Sequence, residues 1–453
     1  MLPRLIYSFF LAVLAPLAWA VMFVRMRAGF FAWQPWAAER FGRYPQPWDA
    51  KQPVWVHAVS VGEVRAAKPL IQALALKGET VILTHLTPTG RAEGRRVLAE
   101  EIRRGQVWQQ WVPYDFQSAM RRFCRHFKPR LVILIEREVW PNLVHVARDQ
   151  GVPVILASAR LSEKSLKQSR WIDRFFGGLL RHTYGSITLA LAQSDADAER
   201  LFDAGVGRVQ VCGNLKFDMQ LPYVAVQAGQ LWRGRLNRPV VAVASTREGE
   251  DKLMVDQIKP RLEQSQTAAQ SRPLFFLIPR HPQRFDEAAR LLDAAGCRYA
   301  RWSVLRDDPK ADECLASVDV VLGDTMGEMP FFYAAADVAI VGGSFERHGG
   351  QNFIEACAIG TPVVVGPHTY NFSDAVASAL GSNAIVQVQS AEKAFEQADH
   401  WLKNPEDARH LGLAGKSWVV NHVGATERMM LAITELETGR TNAIDPESEQ
   451  PPD

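Results

Sequence analysis

Val54-Trp55-Val56-His57-Ala58-Val59-Ser60-Val61-Gly62-Glu63 joins an apolar run to a turn and then to a helical stretch. Val54–Val59 is apolar along nearly its whole length. A strand solvated on one face would alternate apolar and polar residues, so this one reads as covered on both faces. The chain leaves the strand at Ser60, turns at Gly62 and opens a helix at Glu63, with Glu63–Lys77 as the crossover. The same unit recurs. Val81–Thr84, Leu131–Ile135, Val154–Ala157 and Ile187–Ala192 read as further buried strands, Val209–Val211 as a strand, and Trp140–Gln150 as another crossover. Met219–Pro239 is mixed, holds Pro222, Gly229, Gly234 and Pro239, and reads as a linker with one helix. A second series follows at Val240–Ala244, Leu274–Ile278, Val318–Leu322, Val338–Val341 and Val363–Val365. The expectation is an α/β chain of two doubly wound domains, with ligands at the carboxyl ends of the strands in an interdomain cleft.

Length and charge agree with that reading. The 453 residues are enough for two or three domains, and the 47% hydrophobic fraction suits large cores. A net charge of +3 is too near balance for nucleic acid to be the main partner. The five cysteines, Cys124, Cys212, Cys297, Cys314 and Cys357, form no C-x-x-C, which argues against a disulfide framework and a structural zinc site. Such usage fits a reducing compartment.

The amino terminus stands apart. Leu5–Val24 carries no charge and has about the 20 apolar residues that span a bilayer. Arg4 precedes it, and Arg25, Arg27, Arg40 and Arg43 follow, which predicts a body on the cytoplasmic side. The expectation is a membrane anchor over residues 1–27. Two alternatives stay open: a cleaved signal peptide, since Ala18-Trp19-Ala20 imitates a cleavage site, and a helix lying in the interface. The domains are expected over 28–222 and 223–437. The polar tail over 438–453, with Pro446, Pro451 and Pro452, is expected to be disordered.

Several charged blocks close these strands. Glu63 sits where a general base must sit to reach an acceptor hydroxyl, although an acidic residue there also complements a helix dipole. Glu136-Arg137-Glu138-Val139-Trp140-Pro141-Asn142 follows a buried strand, where three charges are expensive unless they face a solvated cleft. The bland alternative is a surface ion pair on an ordinary turn. Lys216, in Gly213-Asn214-Leu215-Lys216-Phe217-Asp218, offers a cation to an acidic sugar or a phosphate. In the second half, Arg280 of Pro279-Arg280-His281-Pro282 can grip phosphate. The glycines at 342, 343, 349 and 350 let backbone N–H groups approach an anion, and Glu355 can take sugar hydroxyls. No Walker A sequence, H-E-x-x-H or clear carboxylate cluster is present, so neither metal nor cofactor is expected.

These blocks resemble the Kdo (3-deoxy-D-manno-octulosonic acid) transferases of lipopolysaccharide assembly. The resemblance rests on Ser60–Glu63, Thr87–Gly90, Glu136–Asn142, Ala159–Ser162, Leu215–Asp218 and Ala244–Glu250. It also rests on Pro279–Pro282, Gly323–Glu328 and Gly366–Phe372, and covers the chain to roughly residue 430. It implies the GT-B fold of two Rossmann-like domains, CMP-Kdo as donor and lipid IVA, the tetra-acylated disaccharide precursor of lipid A, as acceptor. It further implies the cytoplasmic face of the inner membrane, with membrane lipid met through the N-terminal segment. Carried over by position, Glu63 is the implied base, and Glu136 and Lys216 stabilise the transition state. The implied CMP contacts are Pro279, Arg280, Met326, Gly327, Glu328, Asn352, Phe353, Ile354 and Glu355. Arg137 and Arg247 depart from the family pattern and add positive charge. The rivals are a GT-B enzyme using a UDP-sugar, epimerases included, and a non-catalytic sugar-nucleotide sensor tethered to the membrane.

Overall fold

The computed structural model describes residues 2–27, 37–45, 47–49, 52–219, 221–264, 272–308 and 311–439. The chain divides into two compact units. One comprises residues 1–219 and 423–453, the other residues 220–422.

The first unit is built on seven parallel strands, β1 (Val54–His57), β2 (Val81–His85), β3 (Val107–Trp111), β4 (Leu131–Ile135), β5 (Val154–Ala159), β6 (Leu189–Ala192) and β7 (Val209–Val211). Their order is β3-β2-β1-β4-β5-β6-β7, so the winding reverses between β1 and β4. Val54 pairs with Val81 on one side and Leu131 on the other, which places the ends of β1 and β4 side by side. Among its helices are α1 (Leu2–Arg27), α2 (Val61–Leu76), α3 (Pro88–Val97), α4 (Pro141–Asp149) and α5 (Leu179–Tyr184). α2 buries Val64, Ala67, Leu70, Ile71 and Leu74, the i, i+3, i+4 face that meets Val54, Val56 and Leu131. Each such side chain contributes about 1.5–3 kcal/mol on burial. Gly62, read from sequence as the turn, lies inside α2, and Ser60 is its N-cap.

The same core takes Met429, Ala432 and Ile433 from the helix Ala425–Thr438. Asp218 caps this returning helix, accepting from the backbone N–H of Gly424 at 2.7 Å and from that of Thr426. The expected boundary at 437 therefore differs from the structure, in which the chain rejoins the first unit at Val423. Of the expected disordered tail, residues 440–453 lie outside the described residues.

The N-terminal segment also departs from expectation. Among the described residues no helix is long and apolar enough to cross a membrane. The spanning anchor read from sequence is thus not supported. α1 instead rests along the first unit. Arg4 donates to Asn142 Oδ1 at 3.0 Å and to Asp149 at 2.7 Å, and the Tyr7 hydroxyl donates to Asp115 at 2.9 Å. Trp19 meets Phe41, Tyr114 and Phe116 edge-on or tilted. Arg40, read as part of a basic flank, is fully buried, donates to the Leu86 carbonyl at 2.8 Å and stacks 4.3 Å from the Trp111 ring. The side chains of residues 21–27, Arg25 and Arg27 included, lie outside the described residues.

The second unit holds β8 (Val240–Thr246), β9 (Leu274–Pro279), β10 (Tyr299–Arg301), β11 (Val320–Leu322), β12 (Val338–Val341), β13 (Val363–Val365) and β14 (Val386–Gln387). The order β10-β11-β9-β8-β12-β13-β14 is again parallel, with its reversal between β8 and β12. Tyr223–Gly234 is the helix expected within the linker stretch.

Candidate functional site

Parallel sheets bind ligands where the strand order reverses, beyond the carboxyl ends of the strands. In the first unit that point lies between β1 and β4, and both strands end in the acidic blocks singled out from sequence.

After β1, Ser60 caps α2 by accepting from Glu63 N at 3.3 Å, and its hydroxyl donates to Glu63 Oε1 at 2.8 Å. Val59 N donates to Glu63 Oε2 at 2.8 Å. This is a close relative of the capping box, so the bland alternative for Glu63 is true of its geometry. Its electrostatics go further. Burial, and then the nearby charge of Glu138 and more weakly of Glu136, push its pKa from 4.5 up to about 7, against the hydrogen bonds from Val59 and Ser60. A carboxylate held there exchanges protons near neutral pH, which suits a general base.

β4 is followed at once by Glu136, whose φ of +57° is left-handed. For a residue with a Cβ this conformation costs about 1–3 kcal/mol and persists only where the surroundings impose it. The Glu136 N–H donates to the Ala157 carbonyl at 3.0 Å and its carbonyl accepts from Arg160 N at 3.4 Å, while charges surround its side chain. Lys216 Nζ lies 2.6 Å from Glu136 Oε1, with 15% and 17% of the two side chains exposed. Burial acts to raise the Glu136 pKa, but Lys216, then Arg160 and Arg137, outweigh it and hold the group ionised. Glu138 accepts from Trp140 Nε1 at 2.9 Å, and burial raises its pKa.

Lys216 is placed by a chain of amides. Its N–H donates to Asn214 Oδ1 at 3.0 Å, Asn214 Nδ2 donates to Gln193 Oε1 at 3.0 Å, and Gln193 Nε2 donates to the Ser158 carbonyl at 2.9 Å. Ser158 also has a left-handed φ, +50°, at a register shift in β5. Sequence reasoning assigned no role to Glu138, Arg160, Ser158 or Gln193. Arg160 stood within the A-R-L-S block, which was the available signal. His57 is buried, holds Thr84 Oγ1 at 2.8 Å, and burial lowers its pKa to about 3, so it is a neutral core residue.

In the second unit the ends of β8, β9 and β12 come together. Arg280 N donates to the Thr246 carbonyl at 2.9 Å, and Arg280 Nε to Gln351 Oε1 at 3.3 Å. Gly343 has φ +66°, and a Cβ there would stand 2.8 Å from Gln351 Cγ, so only glycine lets the loop close on Gln351. The buried Glu250 holds that loop. It accepts from the backbone N–H of Gly343, from Phe345 N at 2.9 Å, Glu346 N at 3.2 Å and Arg247 N at 2.9 Å. Burial lowers the pKa of His281, and so do the adjoining Arg247 and Arg280, so two guanidiniums make this corner electropositive.

The other expected donor contacts are spread along the same edge. Pro279 ends β9. Met326 is exposed, Gly327 has φ +89°, and Glu328 accepts from the Thr325 hydroxyl and lies 3.4 Å from Arg306. Asn352 donates to Glu355 Oε1 at 3.1 Å and accepts from Ile354 N at 3.1 Å. Phe353 and Ile354 are buried, Phe353 stacked on Trp418 at 5.7 Å, so those two can offer only backbone to a ligand. Among the described residues no cluster of three or more metal-ligating side chains is found.

Comparison with known proteins matches this arrangement. The family model described as 3-deoxy-D-manno-octulosonic-acid transferase (kdotransferase) matches residues 36–219. A 3-deoxy-D-manno-octulosonic acid transferase from Bordetella pertussis is 50% identical over 436 residues, 95% of this chain and 99% of the relative. The chain belongs to the Kdo transferase family. It is a glycosyltransferase of lipopolysaccharide assembly. A Kdo transferase from Haemophilus influenzae is 31% identical and covers 87% of this chain and 89% of its own. Residues 309–418, within the second unit, match the model for group 1 glycosyl transferases. The UDP-GlcNAc 2-epimerase of Neisseria meningitidis, solved with UDP-GlcNAc, superposes with a TM-score of 0.55 at 16% identity, over 84% of this chain and all of its own. At that identity the likeness is one of fold, and it agrees with two parallel-sheet α/β units of GT-B type.

Proposed function

We propose that this Kdo transferase moves Kdo from CMP-Kdo to a primary hydroxyl of lipid IVA with inversion at the anomeric carbon. The observation that carries the reading is Glu63, a carboxylate fixed by Val59 and Ser60 at the end of β1 with its pKa raised to about 7. Glu63 takes the hydroxyl proton as the acceptor oxygen bonds to the anomeric carbon. The bond from that carbon to the phosphate oxygen breaks, and CMP leaves with the electron pair. The 2.6 Å pair of Glu136 and Lys216 supports a charged transition state next to the base. Arg280, the glycine loop held by Glu250, and the stretches Met326–Glu328 and Asn352–Glu355 receive the CMP group, with no metal in the scheme.

α1 supplies the membrane contact in this reading. It is docked through Arg4 and Tyr7 and leaves Leu2, Leu5, Phe9, Val13 and Leu17 exposed in one stripe. Such a helix lies in the bilayer surface rather than crossing it, on the cytoplasmic face of the inner membrane where the acceptor resides. The test is turnover with CMP-Kdo and lipid IVA, read by mass spectrometry. Product gaining one or more Kdo units is expected, and transfer from a UDP-sugar with none from CMP-Kdo overturns the reading.

A further inference from the structure

A cavity of about 160 Å³ opens at the amino-terminal end of α1, lined by no residue of the chemistry above. Its walls are Arg4 of α1, His145, Arg148 and Asp149 of α4, and Leu179 and His182 of α5. Two guanidiniums meet one carboxylate: Arg4 lies 2.7 Å from Asp149 and Arg148 lies 3.4 Å from it. The cavity therefore carries excess positive charge before either histidine is counted.

His145 adds an independent observation. The residue is 6% exposed, with Nδ1 at 3.4 Å from Ser186 Oγ and Nε2 at 3.4 Å from Thr183 Oγ1. Both hydroxyls already donate elsewhere, Ser186 to the His182 carbonyl at 2.8 Å and Thr183 to the Leu179 carbonyl at 2.7 Å. Toward His145 they can only accept; Ser186 Oγ already accepts from Arg148 Nη1 at 2.9 Å, so a neutral ring donating from Nε2 to Thr183 leaves Nδ1 facing an occupied hydroxyl. A second proton on the ring would turn Nδ1 from a lone pair facing Ser186 into a donor to it. Burial, and then the charges of Arg4 and Arg148, oppose that state, with Asp149 acting the other way and His182 adding to the opposition. An anion in the cavity reconciles the two demands by balancing the guanidiniums and allowing the ring to protonate. The exposed stripe of α1, from Leu2 through Leu5 and Phe9 to Leu17, begins beside the same opening.

We propose that this cavity holds the phosphate of an anionic phospholipid headgroup, whose acyl chains follow the apolar face of α1. The site deepens the reading of α1 as a membrane-surface helix and rests on it. Lipid is favoured over free phosphate because the apolar stripe runs from the cavity mouth.

Full-length protein labelled with ¹⁵N-histidine is titrated with monomeric dihexanoyl phosphatidylglycerol, with the phosphatidylcholine analogue, and with inorganic phosphate. A saturable shift of the His145 resonances toward the protonated ring with phosphatidylglycerol is expected. The double variant Arg148→Gln, His182→Gln should bind about tenfold more weakly, the loss of roughly one charge-assisted hydrogen bond. Its turnover on detergent-dispersed acceptor and its melting temperature should stay at wild-type values. Arg148→Lys, which keeps the charge, should fall between. Equal affinity for inorganic phosphate overturns the lipid assignment, and His145 resonances that none of the three moves overturn the site. Flotation of the wild type on phosphatidylcholine vesicles tests α1 separately. Protein that floats while His145 stays silent refutes the cavity alone, and protein that fails to float refutes the membrane-surface reading.

Discussion

Replacing Glu63 by Gln should stop turnover and at the same time stabilise the protein at alkaline pH. Burial and the neighbouring Glu138 raise the Glu63 pKa from 4.5 to about 7. A carboxyl whose pKa is raised on folding adds stability that is fully present below 4.5 and is lost as pH rises through about 7. At about 1.4 kcal/mol per pH unit between those two values, the ionised group costs about 3 kcal/mol at pH 8. Glutamine has nearly the same shape and no charge, so it escapes that cost. It accepts through one oxygen only, whereas Val59 N and the Ser60 hydroxyl now donate to different oxygens, so one hydrogen bond worth about 1 kcal/mol is lost. The net gain at pH 8 is about 2 kcal/mol, a rise of roughly 4–8 °C in the melting of a unit of this size. At pH 4 the gain should vanish, because Glu63 is then protonated in the folded protein. Calorimetry at the two pH values reads the difference. The rate should fall by about 10²–10⁴, and the wild-type kcat/KM should rise with pH around a midpoint near 7. A variant with near-normal kcat, or one equally or less stable at both pH values, would refute the argument.

Other perturbations separate the remaining roles. Lys216→Ala leaves Glu136 as a buried, uncompensated carboxylate and should destabilise by about 3–5 kcal/mol in denaturant melts, with kcat reduced. Lys216→Arg should recover stability more than rate. Arg280→Ala should weaken CMP binding by about 1.5–3 kcal/mol in calorimetry, and unchanged affinity would place its guanidinium off the phosphate. Glu250→Gln cannot accept from four backbone N–H groups and should raise KM for the donor more than it lowers kcat. An unchanged KM would show that the glycine loop holds without it.

The central strands were legible because their chemistry is continuous. β1, β4, β5 and β8 are covered on both faces, so every residue of each is buried and, His57 apart, apolar or small, and the run announces itself. The edge strands β3, β10 and β14 were not. β3, Val107-Trp108-Gln109-Gln110-Trp111, is buried only at its two ends, while β10 is half-exposed throughout and β14 has only two residues. The motifs that name the family were likewise complete in the linear chain, since catalytic side chains are chosen for their chemistry and keep their spacing.

The sequence by itself determined the two-series α/β architecture, the family and which residues bear the charges. Only the tertiary structure decided what those charges do. Glu63 titrates near neutrality because Glu138, from the neighbouring strand end, and burial act on it together, and neither influence is local in sequence. Glu136 is held ionised by Lys216, 80 positions away. The return of Ala425–Thr438 to the first core hangs on Asp218, and the lie of α1 on Asp115, Asn142 and Asp149. An apolar run tells the chain to leave water, but it does not say whether lipid or the protein's own surface takes it in. That choice depends on partners contributed from far along the chain, which exist only once the sheet has formed.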